Sequence, residues 1–191
     1  MRILKLLVVI GTTLLTAGCV EPSPVFVVSL HPLFTKAERA LEPALVGTWI
    51  GEEGMGTFTI EKREDDAYDL LYTERETSAK LLASLGRLGE SLFMDISLGE
   101  LGVNNPFHGI HLLPVHTIWR VWIEGDVLRL AILDVAPLKS STPQEAPRMA
   151  REELDWMILI TAPTQELQEY VLRNAADAEA FPNPLELHRQ N

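Results

Sequence analysis

The sequence predicts a mainly β protein whose strands join as an antiparallel barrel or strongly curved sheet, with one helix near the C-terminal end. Three observations carry that prediction. Between residues 45 and 134, apolar and polar side chains alternate with a period of two in successive short runs. Tight polar turns at Glu64-Asp65-Asp66, Gly89-Glu90 and Gly125-Asp126 separate the runs, which joins neighbours as hairpins. Only after Pro163 does the apolar spacing change to three and four, at Leu167, Tyr170, Val171 and Ala175, the stripe of an amphipathic helix.

Each element follows from its local pattern. Thr35-Lys36-Ala37-Glu38 has the form of a capping box and is stopped before Pro43, so one or two helical turns are expected there. Phe58 and Ile60 alternate with Thr57, Thr59 and Glu61, and Tyr68, Leu70 and Tyr72 with Asp69, Leu71 and Thr73, giving two strands. Ala79, Leu81, Ala83 and Leu85 form one face of a third, and Leu92, Met94 and Ile96 one face of a fourth. After an irregular stretch over residues 98–109, a second hairpin runs out along 115–123 and back along 127–134. Its first arm is apolar on both faces, Trp119, Val121 and Ile123 against Ile118 and Trp122, as suits a strand covered on two sides. Residues 139–153, with Pro143 and Pro147, read as a polar excursion with room for a short helix from Gln144. Residues 156–160 read as a further strand, 174–181 as a second helical piece ended by Pro182, and 184–189 as a last short strand with Leu185 and Leu187 inward.

The N-terminus has a different character. Arg2 and Lys5 precede an apolar run over residues 6–15, broken only by Gly11, Thr12 and Thr13, and Ala17-Gly18 then lead into Cys19, the sole cysteine. The run falls short of the roughly 20 apolar residues a membrane-spanning helix needs. This stretch resembles the lipobox of bacterial lipoproteins, departing from its commonest form in having Thr16 three residues before the cysteine. The resemblance implies that residues 1–18 are a signal peptide and that Cys19 carries an N-acyl diacylglycerol group; no cofactor beyond that lipid is expected. Several acyl chains anchor a protein stably, at about 0.8 kcal/mol per buried methylene. With Val20 rather than an aspartate after the cysteine, the resemblance also points to the outer membrane of a cell envelope, facing the periplasm. Residues 19–32, with Pro22, Pro24 and Pro32, are then a tether, although Val25-Phe26-Val27-Val28 is apolar enough to lie on the domain or the membrane. Residues 33–191 are a single domain of ordinary size.

Charge narrows the partners. Residues 1–18 contain 2 of the chain's 16 basic side chains, so the mature chain keeps 14 against 27 acidic ones, a formal charge of −13. Such a surface disfavours nucleic acid and peripheral docking on anionic lipid. With Cys19 acylated no disulfide can form, and the core alone must hold the domain. The oligomeric state is left open.

At Pro43-Ala44-Leu45-Val46-Gly47-Thr48-Trp49 a helical turn leads into a Gly-x-Trp strand, followed by about seven further strands and a late helix. This resembles lipocalin-like β-barrels, in which the tryptophan plugs the closed end, and together with Ser29-Leu30-His31-Pro32-Leu33-Phe34 and the Leu167-Gln168 helix it is similar to a group of bacterial lipoproteins of unassigned function. The chain departs from the secreted lipocalins in lacking a disulfide and in placing its late basic residue, Arg189, only after the helix, out of the order in which it would pair with Trp49. Such a barrel holds one ligand or fills with its own side chains. The candidate lining is Phe58, Tyr68, Tyr72, Trp119 and Trp122, for a small apolar or lipidic ligand bound without covalent chemistry. The alternative is an envelope protein-interaction module with a filled barrel, using residues 139–153 or another exposed face. His108, His111 and His116 are the one histidine cluster, but an extended segment puts His111 and His116 on opposite faces, so zinc-dependent hydrolysis is a remote third reading. Asp95 and Asp134 are carboxylates at or near strand ends, read as solvated. No nucleophile elbow or phosphate loop is present, and no catalytic residue is assigned.

Overall fold

A computed structural model describes residues 26–52, 56–99, 112–134, 138 and 149–190. Its strands are β1 (Phe26–Ser29), β2 (Gly47–Gly51), β3 (Thr57–Lys62), β4 (Tyr68–Glu74), β5 (Thr77–Leu88), β6 (Ser91–Leu98), β7 (His116–Glu124), β8 (Val127–Ile132), β9 (Arg151–Glu153), β10 (Met157–Ile160) and β11 (Leu185–Arg189). The α-helix among the described residues, α1 (Thr164–Arg173), lies between β10 and β11.

Seven strands, β2 to β8, pair in chain order, each antiparallel to the next. The eighth place is taken by β11, which pairs antiparallel with both β8 and β2 and so closes the barrel. Closure leaves none of these strands an unpaired edge. The hairpin turns sit where the turn residues placed them; Gly125 has a φ of 60°, a conformation its missing Cβ makes easy.

Period-two alternation sorts the side chains into two cores. Inside the barrel, Trp49, Ile60, Leu70, Leu85, Met94, Leu128 and Leu187 are buried in one cluster. Outside it, the opposite phase of the same strands, Phe93, Ile118, Ala131 and Leu133, packs with Phe34, with Val27 and Ile158 of β1 and β10, and with Leu167, Tyr170 and Val171 of α1. This explains the doubly apolar β7: one face looks into the barrel and the other is covered by the helix and the added strands.

Those added strands form a shelf. β1 runs parallel to β10, with Phe26 opposite Met157, while β9 flanks β10 on its far side. At its other end Ser29 of β1 pairs with His116 of β7, fastening the shelf to the barrel. The stretch assigned to a tether as far as residue 32 is therefore corrected: the domain begins by Phe26, because Val27 and Val28 are buried and their backbone is paired.

Other expectations shift slightly. The capping-box segment makes a 3-10 turn, Lys36–Glu38, in which Glu38 Oε2 accepts from both the Thr35 N–H and its hydroxyl. A second 3-10 turn, Pro43–Leu45, leads into β2. Trp156 belongs to the turn before β10, and residues 174–180 form successive turns where a helix was expected. The short helix proposed from Gln144 lies outside the described residues.

Candidate functional site: the barrel mouth

The two ends of the barrel differ. At one end the Trp49 indole is fully buried and its Nε1–H donates to the Leu45 carbonyl at 2.9 Å. The Arg189 guanidinium lies 4.1 Å from the centre of that indole. Its Nη1 and Nη2 donate to the carbonyls of Val46 (2.8 Å) and Ala44 (2.6 Å), and its Nε lies 3.3 Å from Asp126 Oδ1. One cation thus ties the entry to β2, the β7–β8 turn and the end of β11 together over the tryptophan. The pairing that the place of Arg189 in the sequence left open is made: although it follows the helix, β11 is the closing strand, and Arg189 stands opposite Trp49 in the β11–β2 ladder. Gly47 makes room for this, since it has a φ of 140° and a Cβ there would fall 2.5 Å from Arg189 Nη1. That is the physical content of the Gly-x-Trp pattern.

A polar hollow of about 390 Å³ lies at this same end, beside Arg87, Arg120 and the β5–β6 and β7–β8 turns, whereas the opposite end is the barrel mouth. The mouth holds a larger one, about 640 Å³, lined mainly by Phe58, Tyr72, Leu81, Ile96, Leu98 and Trp119. Val115, Ser97, Thr117 and Leu185 complete the described lining, in which no side chain is charged. The Phe58 and Tyr72 rings meet at 4.9 Å between centroids. The polar groups of its aromatic side chains are spoken for: Trp119 Nε1–H donates to Thr117 Oγ1 at 2.9 Å, and the Tyr72 hydroxyl donates to Glu74 Oε2 at 2.9 Å. That bond to a carboxylate raises the Tyr72 pKa, keeping the phenol neutral. What faces the cavity is aromatic and aliphatic carbon.

Of the five side chains named from sequence as lining, Phe58, Tyr72 and Trp119 come together at the mouth. Tyr68 and Trp122 do not. Tyr68 is buried deeper in the barrel, where its hydroxyl accepts from the Glu42 N–H at 2.7 Å and burial raises its pKa. Trp122 has the opposite phase of β7 and packs against the outer core, with Arg120 4.6 Å from its ring centre. Leu81, Ile96 and Leu185 were missed as lining, though they share the inward phase of Phe58 and Tyr72; aromatic character drew attention that phase alone merited.

The histidine and aspartate candidates resolve differently. His108, His111 and Cys19 lie outside the described residues. Among the described residues no three metal-ligating side chains converge. His116 instead holds Asp95, with Nδ1 2.7 Å from Oδ1, while Oδ2 accepts the Leu33 N–H at 2.6 Å. Asp95 is only 3% exposed, so its reading as a solvated carboxylate is corrected: it stands mid-strand in β6 on the outward face and joins β7 to the loop after β1. Asp134 follows β8, and its N–H donates to the Ala180 carbonyl.

These features define the class: a closed, eight-stranded, antiparallel β-barrel of lipocalin-like form, with Trp49 and Arg189 across one end and an apolar cavity among the described residues at the other. No protein-family model, curated protein or solved structure matches the chain.

Proposed function

We propose that this protein is a lipid-anchored envelope protein that binds one small, neutral apolar or lipidic molecule non-covalently in its barrel mouth. The observation that carries the reading is the 640 Å³ cavity, whose described lining is uncharged, above the apolar side chains that fill the barrel interior. Cavities of roughly 300–1,000 Å³ are the size that encloses one small ligand. Each Å² of apolar surface withdrawn from water contributes about 25 cal/mol, and among the described residues the lining holds no cation to offset the cost of desolvating an anionic headgroup. Selectivity should therefore run toward uncharged ligands. The resemblance of residues 15–19 to a lipobox supplies the anchor, through acylated Cys19, and the envelope location.

The test uses N-phenyl-1-naphthylamine, a neutral fluorescent probe. The expected result is saturable binding with one site, displaced by neutral apolar compounds and at least tenfold less well by fatty acids. Ile96→Trp, whose larger ring enters the mouth from β6, should abolish it while the circular dichroism spectrum stays that of the folded barrel. No saturable binding, or equal binding by the Ile96→Trp protein, sinks the proposal.

A further inference from the structure

The hairpin turn between β9 and β10 presents Leu154 and Trp156 to solvent, 49% and 57% exposed, and beside them stands Phe26, 51% exposed. The three belong to one place: the Phe26 N–H donates to the Trp156 carbonyl at 3.1 Å, and the Leu154 N–H to the Met157 carbonyl at 2.9 Å. An aromatic pair and a leucine left at the tip of a shelf are costly in water. They make sense if that tip meets something apolar.

Chain length says what. Phe26 is the seventh residue after Cys19. Seven residues fully extended span at most about 25 Å, so a lipid on Cys19 holds this tip within that distance of the bilayer. Tryptophan suits the headgroup boundary, where its ring is buried and its N–H stays wet. We propose that the Phe26, Leu154 and Trp156 tip seats in the membrane interface and fixes the orientation of the domain on the surface, a role that rests on the anchored reading above. The anchor supplies attachment and the tip supplies direction. The flanking charges set the lipid preference: Glu152, Glu153 and Asp155 are exposed at the same tip, with Arg151 Nε 3.3 Å from Glu153 Oε1, so the tip keeps a net negative charge that favours zwitterionic over anionic lipid.

The test reconstitutes the full acylated protein in phosphatidylcholine vesicles whose acyl chains carry bromine, a short-range quencher of tryptophan. Trp49, Trp119 and Trp122 are present in both proteins, so the difference between wild type and Trp156→Phe reports residue 156. The expected result is a quenched, blue-shifted difference spectrum that reverts toward the water-exposed form when a third of the lipid is replaced by phosphatidylglycerol. Phe26→Ser with Leu154→Ser should lower the quenching at least twofold with an unchanged circular dichroism spectrum. An unquenched difference spectrum in acylated protein overturns the seating. Intact mass separates this from the anchor itself: a chain without acyl mass refutes the anchor, and the same vesicles added to that chain then decide the tip alone, quenching supporting it and none overturning it.

Discussion

Replacing Arg189 by alanine should loosen the filled end of the barrel by about 2–4 kcal/mol. The figure follows from what the guanidinium touches. Two charge-assisted hydrogen bonds to the Val46 and Ala44 carbonyls are worth about 1.5–3 kcal/mol each at full burial, but the Arg189 side chain is 23% exposed, so water would take over part of each. The stacking on Trp49 adds about 0.5–2 kcal/mol. The ion pair to Asp126, which is 75% exposed, adds about 0–1 kcal/mol. Arg189→Lys keeps the charge yet cannot reach two carbonyls while lying flat on an indole, and should lose about half as much. Urea unfolding, followed by circular dichroism, measures both, with the slope unchanged if the denatured state is unaffected. Gly47→Ala provides the cross-check, because its Cβ would collide with Nη1: combined with Arg189→Ala it should cost less than the sum of the two, the residue being backbone strain at φ 140°. An Arg189→Ala protein within about 0.5 kcal/mol of wild type would refute the view that this cation closes the barrel.

Two further outcomes follow from buried polar groups. Asp95→Ala strands the Leu33 N–H and the His116 ring in a buried place and should cost about 2–4 kcal/mol by the same urea assay; Asp95→Asn, which keeps an acceptor, should cost less. The Tyr170 hydroxyl is buried without a hydrogen-bond partner among the described residues, and burial pushes its pKa up to about 12. The folded chain then holds its proton after the unfolded chain releases it near 10, so stability is full below pH 10 and falls through pH 12 by on the order of 2–3 kcal/mol. Tyr170→Phe should be neutral or slightly stabilising at pH 7 and should flatten that alkaline loss; an equal loss in the variant would place its origin elsewhere.

The barrel was legible because its strands obey one rule. A period of two assigns each side chain to the inside or the outside, and the turns at Glu64-Asp65-Asp66, Gly89-Glu90 and Gly125-Asp126 fix which strands are neighbours. The mouth was partly legible for the same reason: Phe58, Tyr72 and Trp119 share the inward phase. Trp122 was misassigned because its phase is that of the second core, and a sequence shows that β7 is apolar on both faces without showing which face meets a ligand. Tyr68 has the inward phase but the wrong height, and height depends on how strands slide past one another around a closed barrel. The Asp95–His116–Leu33 contact was invisible, since it joins residues 62 positions apart through a buried carboxylate.

The tether and Arg189 were misplaced for one shared reason, which is also the chief architectural fact about this chain. Between the seventh and eighth barrel strands it inserts β9, β10 and α1, and the segment that precedes the barrel completes that insertion as β1. Local pattern identifies β1 and β11 as extended but not as partners of strands so distant: Arg189 reaches Val46 across 143 positions. Pairings of that range carry a loop-closure entropy that must be met before the contact contributes anything. Until β11 docks, β2 and β8 are open edges and Trp49 has no cover. The Arg189 contacts therefore act at the seam that joins the two ends of the barrel sequence, and the outer core of α1, β1 and β10, with the Asp134–Ala180 backbone bond, holds the segment leading into β11 beside that seam.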